Sequence, residues 1–122
     1  MKVFLVEDSP LVLQRLQRML EAIPAARIVG EATGAEEAID GILLSEPDVV
    51  VLDLELANGS GFDVLSNLRA GHPDIAFYML SNHATEPYRR RAERLGVTGF
   101  FDKTTEFERV RDAIARRAAT LH

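Results

Sequence analysis

Val49-Val50-Val51-Leu52-Asp53-Leu54 sets four aliphatic residues in unbroken succession and then turns acidic. A short apolar run without alternation reads as a strand buried on both faces, the pattern of a parallel sheet covered by helices. Val3-Phe4-Leu5-Val6 and Ile75-Ala76-Phe77-Tyr78-Met79-Leu80 share that pattern, and two shorter runs, Ile28 to Ala32 and Thr98 to Phe101, complete a set of five. The second of the five, Ile28-Val29-Gly30-Glu31-Ala32, is the more polar and suits a sheet edge. Between the strands the period becomes helical. Leu13, Leu16, Leu20 and Ile23 fall on one stripe, as do Ala35, Ala38, Ile39 and Ile42. So do Phe62, Leu65 and Leu68; Tyr88, Ala92 and Leu95; and Phe107, Val110 and Ile114. Strand and helix thus alternate five times. Parallel strands joined through helices require right-handed crossovers, which gives an α/β fold with a doubly wound five-stranded parallel sheet in the order 2-1-3-4-5.

The helix starts carry their own chemistry. In Ser9-Pro10 the hydroxyl can cap orphan N–H groups while proline presets the first helical φ. Thr33-Gly34-Ala35-Glu36 and Thr105-Glu106-Phe107-Glu108 have capping-box spacing, Thr85 precedes Pro87, and Gly96 follows Leu95 where a left-handed stop is needed.

A length of 122 residues, 47% hydrophobic and 27% charged, fits one domain with one core, and no repeat or linker interrupts the series. Cysteine is absent, which excludes a disulfide scaffold and suits a reducing compartment. No apolar run approaches the ~20 residues of a membrane span, and Val3 to Val6 is too short for a signal-peptide core, so a cytoplasmic location away from membranes is expected. A net charge of −5 argues against a nucleic-acid footprint over the whole surface. The charge is uneven: residues 1–61 hold 4 basic and 11 acidic residues, residues 62–122 hold 10 and 8. Arginine supplies 12 of the 14 cations, and the lysines are Lys2 and Lys103.

In doubly wound sheets ligands bind beyond the carboxyl ends of the strands, at the switch point between the first and third. Those ends carry Glu7-Asp8, Asp53, Ser81 and Asp102-Lys103, with Ala32-Thr33 after the second strand. A lone Asp there is usually an ordinary turn residue. Glu7, Asp8 and Asp53 facing one crevice, however, repel one another unless a cation neutralises them. An oxygen-only donor set suits a hard divalent ion such as Mg²⁺, whereas the lack of cysteine and the scattered His72, His83 and His122 speak against a transition metal. A carboxylate can also attack phosphorus and form an aspartyl phosphate. Asp53 is the best-placed nucleophile, Glu7 and Asp8 would hold the metal, Lys103 can reach a phosphate, and Ser81 offers a donor.

These residues resemble, over the whole chain, the receiver domain of two-component response regulators, the group that includes the chemotaxis regulator. The resemblance rests on Val3-Phe4-Leu5-Val6-Glu7-Asp8-Ser9, Val49-Val50-Val51-Leu52-Asp53-Leu54, the Gly59-Ser60-Gly61 turn, Leu80-Ser81 and Gly99-Phe100-Phe101-Asp102-Lys103. It implies a flavodoxin-like (βα)5 fold and a single receiver domain over residues 1–122, with no output domain in the chain. It makes Asp53 the phosphoacceptor, with Asp8 and the backbone carbonyl of Glu55 joining it as Mg²⁺ ligands and Glu7 acting through water. Lys103 and Ser81 would contact the phosphoryl oxygens. Ser81 and Phe100 would form the switch, Phe100 standing where the family commonly has Tyr, so that its rotation is a packing change without a terminal hydrogen bond. The donor would be a sensor histidine kinase or phosphotransfer protein. Helix four, strand five and helix five would present a face to an acidic protein effector, with DNA binding not expected, no membrane partner, and homodimerisation left open. The domain would be no enzyme beyond its own phosphorylation and dephosphorylation.

Several positions depart from the family pattern. Thr104 replaces the usual proline after the lysine, Ala57 replaces another proline, and Asn82 stands where Ala or Gly is common, which puts the geometry near Lys103 and access to Asp53 in question. Glu55 and His83 occupy positions that modulate phosphoryl lifetime in the family. Arg89-Arg90-Arg91 and Arg94 on the fourth helix, with Arg109, Arg111, Arg116 and Arg117 on the fifth, are either a solvated face or part of the output surface. The competing readings are a receiver-like module that no longer cycles, a metal-dependent phosphatase using an aspartyl phosphate, and a flavin-binding domain. The phosphatase is opposed by Glu55 in place of a second Asp and by the third-strand position of Asp53. The flavin domain is opposed by the acidic Asp8-Ser9-Pro10, which offers few free N–H groups to a phosphate.

Overall fold

The computed structural model describes residues 1–120. Five strands, β1 (Lys2–Val6), β2 (Arg27–Ala32), β3 (Val49–Asp53), β4 (Ala76–Ser81) and β5 (Gly99–Asp102), alternate with five helices. The helices are α1 (Pro10–Glu21), α2 (Ala35–Ser45), α3 (Gly61–Leu68), α4 (Glu86–Arg94) and α5 (Phe107–Thr120). The sheet is parallel throughout and runs β2-β1-β3-β4-β5, the order expected from the sequence.

β3 lies at the centre because both its faces must be dry: Val49 to Leu52 are fully buried. Each such valine contributes roughly 1.5–3 kcal/mol over an exposed one, which fixes the register of the strand and so the position of Asp53 at its end. Alternate residues feed two layers. Phe4, Val6, Val50, Leu52, Phe77 and Met79 pack against α2, α3 and Ala92 of α4. Val3, Leu5, Val49, Val51 and Leu80 pack against Leu16 and Leu20 of α1 and against Phe107, Val110 and Ile114 of α5. β2 is an edge, and its half-exposed pattern accounts for its polar sequence. β5 is the other edge.

Helix starts follow the sequence in part. Ser9 caps α1, its hydroxyl accepting from the Val12 N–H at 3.4 Å, and Gly96, at φ +88°, ends α4 in the left-handed region where a side chain is strained. The capping box expected at Thr33 does not form, because α2 begins one residue later with Gly34 as its cap. The box that does form, Ser60 with Asp63, starts α3. Tyr88, expected on the buried stripe of α4, is 42% exposed and stacks on Phe62 at 6.3 Å instead.

Candidate functional site

The carboxyl ends of β1, β3 and β4 and the turn after β5 converge on one edge of the sheet. Glu7 follows β1 directly and is tied to β2 through its N–H, which donates to Ala32 O at 3.0 Å. Its side chain is fully buried, with Oε2 accepting from the Ser9 N–H at 3.0 Å. Asp53 ends β3 and is 1% exposed, with Oδ1 accepting from the Glu55 N–H at 3.2 Å. Close packing of the next loop holds it there. The Gly61 N–H donates to Leu54 O at 2.9 Å, and a Cβ on Gly61 would lie 2.5 Å from the Asp53 carbonyl oxygen, so only glycine allows the loop to close this tightly.

Lys103 reaches in from the turn after β5, anchored by its own N–H on Ser81 O at 3.0 Å. Its ammonium lies 2.9 Å from Glu7 Oε1 and 3.0 Å from Asp53 Oδ2. Both oxygens are buried, at ion-pair distance but off the direction of a hydrogen bond. One oxygen each from Glu7, Asp8 and Asp53 lies within 4.8 Å of the others, with Asp8 exposed at the rim. Burial, and then the Glu7 charge, raise the Asp53 carboxyl from 3.8 to about 8, against the pull of Lys103. Burial would depress the Lys103 ammonium, but the two carboxylates outweigh it and hold it above its ordinary value. Two buried carboxylates thus share one ammonium, and Asp8 adds a third acid at the rim without pairing to it. Two buried acceptor oxygens without a directed donor, in an all-oxygen set, fit a hard divalent cation.

Ser81, fully buried at the end of β4, is not turned towards Asp53. Its hydroxyl donates to Glu55 Oε1 at 2.8 Å and accepts from the His83 N–H at 2.8 Å. His83 Nδ1 lies 2.6 Å from the same Glu55 oxygen. Burial would raise the Glu55 carboxyl, yet the contacts with His83 and Ser81 hold it below its ordinary value. The family pattern assigns the Glu55 carbonyl to the metal, and Glu55 and His83 to positions that modulate phosphoryl lifetime, without naming side-chain partners for either. Spacings of 26 and 28 residues leave no local signal for these pairs.

Phe100 is half-buried against the α2–α3–α4 layer, beneath the Arg89 guanidinium 5.2 Å from its ring centre. Arg89 also donates to Ala84 O at 3.2 Å, Phe100 O at 3.1 Å and Glu106 Oε1 at 2.9 Å, tying the loop after β4 to β5 and to the start of α5. This clamp was legible in the sequence only as charge. Arg90 pairs with Glu86 and Arg109 with Glu106, so the basic helices neutralise part of their own charge.

The departures take definite positions. All peptide bonds of the described residues are trans, and Asp102 Oδ1 accepts from the N–H groups of Thr104 at 2.7 Å and Thr105 at 3.1 Å. Proline at 104 would lack the first of these donors. Ala57 and Asn82 are exposed. Among the described residues no helix is long and apolar enough to cross a membrane.

Comparison with known proteins places the chain in a family. The family described as response regulator receiver domain matches residues 3–115. The chain is 37% identical over 111 residues to the protein-glutamate methylesterase/protein-glutamine glutaminase 1 of Carboxydothermus hydrogenoformans, covering 89% of this chain and 32% of that protein. It is 33% identical over 102 residues to the DNA-binding transcriptional activator DevR/DosR of Mycobacterium tuberculosis, covering 84% of this chain and 47% of that protein. The chain therefore spans less than half the length of either relative. The signal receiver domain of the putative response regulator NarL from Mycobacterium tuberculosis superposes with a TM-score of 0.87 at 24% identity, covering 98% of this chain and 96% of that one, a likeness of fold. With its matched pattern spanning the strands, helices and strand-end residues described above, the chain belongs to the response regulator receiver domain family.

Proposed function

We propose that this chain accepts a phosphoryl group on Asp53 from the phosphohistidine of a sensor kinase or phosphotransfer protein, and that the acyl phosphate changes the surface offered to a protein effector. The observation that carries the reading is the buried Asp53 carboxylate at the end of the most apolar strand, with the Lys103 ammonium set between it and Glu7.

In the transfer, an oxygen of ionised Asp53 forms a bond to phosphorus in line with the breaking P–N bond, and the donor imidazole leaves with the bonding pair and takes up a proton. Lys103 supplies fixed positive charge to the phosphoryl oxygens, and the buried walls keep competing water from the acyl phosphate. Asp8, Asp53 and the backbone carbonyl of Glu55 would hold Mg²⁺, with Glu7, already committed to Lys103 and Ser9, acting through water. Bound there, the cation neutralises charge on the transferring group. Ser81 would turn to a phosphoryl oxygen and Phe100 would repack beneath Arg89, altering the α4–β5–α5 face, whose unpaired arginines suit an acidic protein. The setting is the cytoplasm, where kinase and effector meet, with no chemistry on a separate substrate.

Intact-mass measurement after exposure to a small acyl phosphate, with and without Mg²⁺, tests this for wild type and Asp53→Asn. A Mg²⁺-dependent gain of one phosphoryl group in wild type alone is expected. No gain, repeated with candidate kinases, would leave a receiver-like module that binds its partner without cycling.

A further inference from the structure

Ser81 has one hydroxyl proton, and Glu55 Oε1 takes it at 2.8 Å. The hydroxyl oxygen is occupied as well, by the His83 N–H at 2.8 Å. While that arrangement lasts, Ser81 cannot donate to anything on Asp53. The carboxylate that holds it is itself braced, since His83 Nδ1 contacts the same oxygen at 2.6 Å, while Oε2 is buried with no partner of its own. Glu55 stands two residues beyond Asp53, donates its N–H to Asp53 Oδ1, and has its carboxyl group in the neighbourhood of the Asp53 side chain as well as on Ser81, so a phosphoryl group added to Asp53 would arrive near the Glu55 carboxylate. Like charges brought together in a buried site repel strongly. Next to the pair runs a groove of about 340 Å³ lined by Glu55, His83, Phe62, Tyr88 and Arg91 among others, which gives the carboxylate room to withdraw and a guanidinium at its wall.

We propose that Glu55 is a positioning residue for the switch: its side chain, braced by His83, latches the Ser81 hydroxyl away from the phosphoryl position, and the charge that arrives on Asp53 opens the latch by driving Glu55 into the groove. The proposal rests on the phosphoacceptor reading above and gives the Glu55 side chain a task separate from its main-chain carbonyl, which truncation at Cβ leaves in place. A hydrogen bond to a charged acceptor must be given up before Ser81 can turn, so removing the carboxylate favours the phosphoryl-bound arrangement by on the order of tenfold or more.

The experiment is the affinity for beryllofluoride in the presence of Mg²⁺, read by fluorine NMR, which reports binding at Asp53 without transfer. Wild type, Glu55→Ala, Ser81→Ala and the double variant form a cycle, with Glu55→Gln as a folded control and His83→Ala as a weaker opening of the brace. We expect Glu55→Ala to tighten binding about tenfold or more in the Ser81 background and clearly less when Ser81 is Ala, because only the remaining charge repulsion is then relieved. His83→Ala should tighten it too, again only with Ser81 present. Equal gains in both serine backgrounds would overturn the latch while leaving phosphoacceptance intact. Failure of every variant, wild type included, to bind beryllofluoride at Asp53 would overturn both readings.

Discussion

The Lys103 ammonium stands 3.0 Å from Asp53 Oδ2, and still the Asp53 carboxyl is raised to about 8. Burial and the neighbouring Glu7 outweigh one shared cation. The site is therefore short of positive charge, a shortage that has measurable consequences.

The first is a pH-dependent stability difference. A carboxyl raised by folding stays protonated in the native chain where the unfolded chain has ionised, so the unfolded form binds fewer protons and stability falls as pH rises from about 4 to about 8. Asp53→Asn cannot ionise. In chelator, its stability advantage over wild type should widen across that window by at most about 1.4 kcal/mol per pH unit and level off above it, as read by urea denaturation at a series of pH values. An advantage that stays flat with pH would mean that Asp53 is ionised and comfortable in the folded protein.

Adding the cation should reverse the strain. Millimolar Mg²⁺ is expected to raise the melting temperature of wild type through preferential binding to the folded state, and EDTA to return it. Asp8→Asn and Asp53→Asn should each blunt the rise, because each removes one of the clustered oxygens. Equal rises in all three proteins would place the binding elsewhere.

Arg89 makes a prediction about mechanical coupling. Arg89→Ala releases the carbonyls of Ala84 and Phe100 and the Glu106 carboxylate together, and should destabilise the fold by roughly 1–2 kcal/mol in urea titration. In the Glu106→Gln background the loss should be smaller, since one of the three acceptors is already weakened. A full loss in both backgrounds would show that the ion pair contributes nothing.

Gly61→Ala tests the close approach beneath Asp53. A Cβ there meets backbone rather than a yielding side chain, so a cost of about 1–3 kcal/mol is expected, with slowed phosphoryl acceptance as Asp53 shifts. Unchanged stability and rate would show that the loop can retreat freely.

The parallel sheet was readable because Val49 to Leu52 is short, unbroken and rich in β-branched residues, the pattern of a doubly covered strand, and its order followed from five strands and a polar second one. Asp53, Glu7, Asp8 and Lys103 were readable because a strand end fixes where its next residue stands. Side-chain partnerships were not. Ser81 could be placed at the site, but its choice of Glu55 over Asp53 depends on rotamers and on His83, a residue from another loop. Tyr88 had helical spacing in its favour, yet α4 buries only Ala92 fully, so its ring is left to cover Phe62 from outside. The Thr33 box failed for a related reason: with Gly34 as the cap, the Thr33 hydroxyl sits one residue too early.

Lys103 comes fifty residues after Asp53, on the turn that follows an edge strand, and this orders events during synthesis. A ribosome delivers Glu7 and Asp53 well before the ammonium that must sit between them. Until β5 docks, the two acids lack the counter-charge that Lys103 supplies in the folded chain. On the phosphoacceptor reading proposed above, the site is complete only once the far edge of the sheet is in place.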